Sequence, residues 1–117
     1  MQQLSATQLK EWLTASTPAS GSGGSPARRP PLLLDVREPW EFELCHLADS
    51  LLLPMQSVPA RIDELERDAD IVVICHHGVR SRQVGGFLER QGFTSIYNLS
   101  GGVDAWANDV DPAMHKY

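Results

Sequence analysis

The segment IVVICHHGVRSRQVGGFLERQGF carries the residue types best suited to chemistry. Cys75 closes an apolar run and is followed directly by His76, His77, Gly78, Val79, Arg80 and Ser81. Val84, Phe87 and Leu88 then share one side of a helical pattern running from about Ser81 to Gln91, with Gly92 placed to cap it. The spacing predicts a strand, a five-residue connection and a helix, with the sulfur at the carboxyl end of the strand. Loops entering a helix N-terminus present backbone N–H groups and the positive end of the peptide dipole, so this connection should cradle an anion. A helix N-terminus and a nearby cation also favour thiolate over thiol. Arg80 and Arg82 are the adjacent cations, His76 and His77 can add partial charge or hydrogen bonds, and Gly78 permits a tight turn.

Three plainer readings compete with a nucleophilic Cys75. Free cysteines are often small buried core residues, but a core position does not call for two histidines, a glycine and an arginine directly after it. A metal site built from Cys75, His76, His77, Cys45 and His46 lacks the spaced ligand pairs of structural zinc, and adjacent histidines do not easily point at one ion. Ser81 as nucleophile lacks the G-x-S-x-G context that exposes a catalytic serine. The anion-cradled thiolate uses the whole segment, and it requires no metal and no organic cofactor.

Several elements must position this loop. The apolar runs LLLDV (32–36), SLLLP (50–54) and IVVIC (71–75) are too short for buried helices and lack period-2 alternation, which suits parallel strands covered on both faces. SIYNL is a further strand, and GGVDAW a turn entering a short helix. Pro39 opens a helical turn through Glu43, and Val58, Ile62 and Leu65 mark one side of another helix. Ser5 and Gln8 fit a capping box for an N-terminal helix whose Leu9, Trp12 and Leu13 share a face. Gly85 and Gly86 inside the helix after Cys75 imply close packing on the sheet. Strands alternating with helices predict one three-layer α/β domain over 1–117, interrupted by a flexible Ser/Gly/Pro-rich loop at 16–31. The tail NDVDPAMHKY reads as an extended segment without function.

Composition limits the partners. The 117 residues are 42% hydrophobic and 21% charged, with net charge −5, which argues against nonspecific nucleic-acid or anionic-membrane binding. Two cysteines are too few for a secreted disulfide scaffold, and no stretch reads as a signal peptide or membrane span. A cytoplasmic protein is the expectation.

Three motifs in order resemble the rhodanese-like sulfurtransferases. LLDVREPWEFELCHLADSLLLP is similar to the family's first signature, CHHGVRS to its active loop, and LSGGVDAW to its carboxyl-terminal signature. The resemblance covers about Leu32 to Trp106 and implies a parallel sheet of about five strands flanked by helices. It also implies that Cys75 alternates between thiol and persulfide, the loop His76 to Ser81 binding a small anionic sulfur donor such as thiosulfate, and that a thiol, protein or cyanide acceptor then takes the sulfur. Asp35 and Arg37, at a strand end, are expected to support the loop.

Phosphatases and arsenate reductases of the same superfamily resemble Cys-x5-Arg, whereas Cys75 and Arg80 enclose four residues, a ring that favours sulfur as the reacting atom. A noncatalytic binding module is the other alternative, although such modules typically lack the cysteine. The family's glycine before the histidine is replaced by Cys45, expected to be a small buried residue, a disulfide with a Cys75 sulfur species being the other reading.

Overall fold

The computed structural model describes residues 1–16 and 29–117. Most of the expected Ser/Gly/Pro-rich loop, at 17–28, lies outside the described residues. The elements are β1 (Gln2–Leu4), α1 (Ala6–Ser16), β2 (Leu32–Asp35), α2 (Pro39–Leu44), β3 (Leu51–Leu52), β4 (Ile71–Ile74), α3 (Val79–Arg90), β5 (Ile96–Leu99) and α4 (Gly102–Asp109). All five strands pair in parallel in the order β1-β5-β4-β2-β3.

The central strands are apolar and buried because side chains alternate between two cores. Val72, Ile74, Tyr97 and Leu99 pack with Leu9 and Trp12 of α1 and Val103 and Trp106 of α4. Ile71, Val73, Cys75 and Ile96 pack on the other face with Val84 and Leu88 of α3 and with Val58 and Leu65. These layers fulfil the expected three-layer α/β architecture. The Ser5–Gln8 capping box also forms, with Ser5 N donating to Gln8 Oε1 at 2.8 Å and Gln8 N to Ser5 Oγ at 3.1 Å.

Four local expectations need correction. β1 was not expected, since QQL is short, polar and at an edge, yet its residues pair with 97–99 of β5. SLLLP yields only the two-residue edge strand β3, with Leu51 exposed instead of covered on both faces. The helix expected around Val58, Ile62 and Leu65 is instead two 3-10 turns, Met55–Ser57 and Pro59–Glu64; Pro59 has no N–H to donate, and Arg61 leaves helical geometry at φ −113°. Gly85 does pack tightly, since a Cβ would meet Ile96 at 3.2 Å, but Gly86 faces Arg90 at an ordinary 3.5 Å. No helix among the described residues is long and apolar enough to cross a membrane.

Candidate active site

β4 delivers Cys75 to the strand's carboxyl end on the α3 face, and Gly78, at φ 103°, turns the chain sharply into α3. The helix starts at Val79, two residues earlier than expected, so the connection is Cys75–Gly78. Starting early lets α3 begin directly at the sulfur: the Gly78 N–H donates to Cys75 Sγ at 3.0 Å, and the thiol lies 3.3 Å from the accepting Ser81 Oγ. Ser81 in turn donates to Asn98 Oδ1. Asn98 Nδ2 donates to Gln3 Oε1 at 2.8 Å and to the Gly78 carbonyl at 3.3 Å. Thus the unanticipated strand β1 completes a neutral hydrogen-bonded network around the sulfur. Cys75 is only 1% exposed, but its sulfur meets one donor and one acceptor, not hydrocarbon alone.

The loop is clamped from the far side by α4. Val103 N–H donates to the Cys75 carbonyl at 2.9 Å and Asp104 N–H to the His76 carbonyl at 3.1 Å. This approach demands Gly102, where a Cβ would collide with those same two carbonyl oxygens. The glycines of LSGGVDAW therefore serve the cysteine loop directly.

An ionic network occupies the neighbouring strand end. Arg37 and Asp35 are both 0% exposed, and the guanidinium donates to Asp35 Oδ2 at 2.7 Å, to the Cys45 carbonyl at 2.6 Å and to the Glu41 carbonyl at 3.3 Å. Arg37 also donates to the Tyr117 hydroxyl at 2.9 Å, which donates to Glu41 Oε1 at 2.9 Å. Glu41 grips Arg80 through two bonds of 2.7 and 2.8 Å. The Arg80 bonds, working against burial, hold the Glu41 carboxyl at about 2, well below its ordinary 4.5. Burial pushes the Tyr117 hydroxyl up to about 12 and pushes the His76 imidazole down, His77 adding to the latter effect. The Tyr117 ring stacks on His76 at 3.9 Å, and His76 stacks on His77 at 3.9 Å.

These contacts sort the expected site residues. Cys75, Gly78 and Ser81 converge on one point. Arg80 does not face the sulfur as a free cation, because Glu41 engages it. Val79 points outward at 56% exposure. Asp35 and Arg37 brace α2 and its exit at Cys45, and connect to the loop through Glu41 and Tyr117.

Cys45 lies in the α1/α4 core and Cys75 in the α3 core, so the sheet separates the two thiols. The tail is not merely extended, since Tyr117 returns to the site. Sequence reasoning missed the roles of Glu41, Asn98, Gln3 and Tyr117. A lone asparagine within the buried strand SIYNL was the available signal for Asn98.

Comparison with known proteins assigns the family. The Rhodanese-like domain family model matches residues 6–109. The chain belongs to the rhodanese-like domain family. It is 42% identical over 83 residues to a protein named Sulfurtransferase from Allochromatium vinosum, covering 71% of this chain and 78% of that one. It is 39% identical over 75 residues to Thiosulfate sulfurtransferase GlpE of Pseudomonas syringae, covering 64% and 71%. Its fold is similar to the crystal structure of a rhodanese-like domain protein from Staphylococcus aureus, with TM-score 0.77, 25% identity and coverage of 100% and 99%.

Proposed function

We propose that this rhodanese-like domain is a sulfurtransferase that carries sulfane sulfur on Cys75. The observation that carries this reading is the sulfur at a strand end, receiving the Gly78 N–H with the Ser81 hydroxyl beside it at the start of α3. In the first step the thiol proton leaves to solvent and Ser81 turns its O–H from Asn98 toward the thiolate. The thiolate then attacks the outer sulfur of thiosulfate, breaking its S–S bond, forming a Cys75 persulfide and releasing sulfite. In the second step a thiolate or cyanide attacks the outer persulfide sulfur, breaking the new S–S bond and restoring the Cys75 thiolate. The Gly78 amide and the N-terminal end of α3 stabilise the anion throughout. Because Cys75 is 1% exposed, loading requires the rim of the loop to part.

The proposed partners are a small anionic sulfur donor and a thiol or protein acceptor. Phosphoryl and arsenate chemistry are disfavoured because Cys75 and Arg80 enclose only four residues and because both Arg80 bonds to Glu41 would have to break before its guanidinium could close over a tetrahedral oxyanion. Steady-state assays with thiosulfate as donor and cyanide or a dithiol as acceptor test the reading. Parallel double-reciprocal plots and loss of turnover in Cys75→Ser are expected; turnover that survives the substitution contradicts it.

A further inference from the structure

The loop presents a donor set that the sulfur chemistry does not use. His76, His77 and Asp104 each offer one ligand atom, and these atoms all lie within 4.8 Å of one another. Two features of the fold create the cluster. The His76 and His77 rings, which successive residues of an extended chain would send to opposite sides, stack at 3.9 Å with an interplanar angle of 26°. Asp104 is brought alongside because its own N–H donates to the His76 carbonyl at 3.1 Å, in the clamp permitted by Gly102.

His77 is exposed and His76 and Asp104 half-buried, so the group borders solvent. Lys116 competes for the carboxylate, its Nζ lying 3.5 Å from Asp104 Oδ1 and also donating to Asn108 Oδ1 at 2.6 Å, and Arg80 and Glu41 act on His76 from the other side of the loop's charge network.

The geometry points to a divalent transition-metal site formed by His76, His77 and Asp104. Two imidazoles and one carboxylate suit zinc and its first-row neighbours, and three protein ligands leave a coordination position open to water or an incoming anion. Drawing the three donors onto one ion requires the His76 and His77 rings to turn out of their stack, since stacked rings aim their nitrogen lone pairs side by side, and displaces Lys116 from Asp104. Arrival of the ion on the cysteine loop is independent of whether Cys75 carries sulfur.

Calorimetric titration of zinc chloride into full-length Cys75→Ser protein tests the site with the reactive thiol removed. One zinc per chain is expected. His77→Ala and Asp104→Asn should each weaken binding by at least about tenfold, the scale on which lost support for a metal ligand is felt. Lys116→Ala should tighten binding, because it releases Asp104, whereas His46→Ala and His115→Ala should leave affinity unchanged. Cobalt substituted for zinc should give visible absorption that disappears in His77→Ala. Absence of a binding isotherm, equal affinity in His77→Ala and the parent, or loss of binding in His46→Ala overturns the assignment.

Discussion

The two networks at the carboxyl ends of β2 and β4 differ in kind. Around Cys75, on the α3 face, the hydrogen-bond network among the described residues is neutral: an amide, a hydroxyl and two carboxamides. Around Arg37, on the α1/α4 side, the partners are the Asp35 carboxylate, two carbonyls and a phenol, and the central pair is fully buried. A neutral shell can serve a sulfur that changes between thiol, thiolate and persulfide, since its hydroxyl can turn from acceptor to donor. A fixed ion pair cannot adapt in that way, but it ties β2, α2, the residues after α2 and the chain's last residue into one unit. Chemistry and rigidity are thus divided between adjacent strand ends, joined by Glu41 and Arg80.

Substitutions on the two sides should therefore separate stability from activity. The largest effect is expected from Asp35→Ala, which leaves the buried Arg37 charge without its carboxylate and should cost about 3–5 kcal/mol, read as a lower urea midpoint. Sulfur loading of the molecules that remain folded should change far less. Ser81→Ala should reverse the pattern, slowing single-turnover sulfur loading by about 100-fold, the low end for loss of one hydrogen-bond donor because the hydroxyl must first turn from Asn98, with a smaller loss of stability of about 1–2 kcal/mol from the unpaired Asn98 oxygen. Equal losses in both assays for both variants would erase the distinction.

Glu41, which links the sides, should show itself in pH dependence. Its folded carboxyl is held at about 2 against an ordinary 4.5, so its contribution to stability is present above about pH 4.5 and is lost as pH falls from there toward 2. Thermal melts of Glu41→Gln should lack that portion of the acid sensitivity seen in the wild type. Tyr117→Phe keeps the ring on His76 but removes two hydrogen bonds, each worth about 0.5–1.5 kcal/mol in chemical denaturation, and leaves sulfur loading the least affected. Tyr117→Ala should exceed it by losing the stack as well.

The contrast between the two sides also marks what could be read from the chain alone. Cys75, Gly78 and Ser81 are close in sequence, and an apolar strand followed by helical spacing fixes their relative placement. β4, β5, α2, α4 and the capping box at Ser5 are legible for the same reason, since each rests on local periodicity or local hydrogen bonding. Glu41–Arg80 and Glu41–Tyr117 span 39 and 76 residues, so no local spacing encodes them. β1 escaped notice because an edge strand of three residues needs little apolar character once β5 supplies its backbone partners. The segment after Met55 was misread because the same apolar anchors can reach the core from 3-10 turns as from an α-helix.

Everything chemical in this account depends on sulfur residing on Cys75. Intact-mass and peptide-mass spectrometry of the wild-type protein after brief exposure to thiosulfate tests that most directly. The peptide containing Cys75 should gain the mass of one sulfur atom, and cyanide should remove it while releasing thiocyanate. An unmodified Cys75 peptide, with the added sulfur found on Cys45 or nowhere while turnover proceeds, would contradict the mechanism.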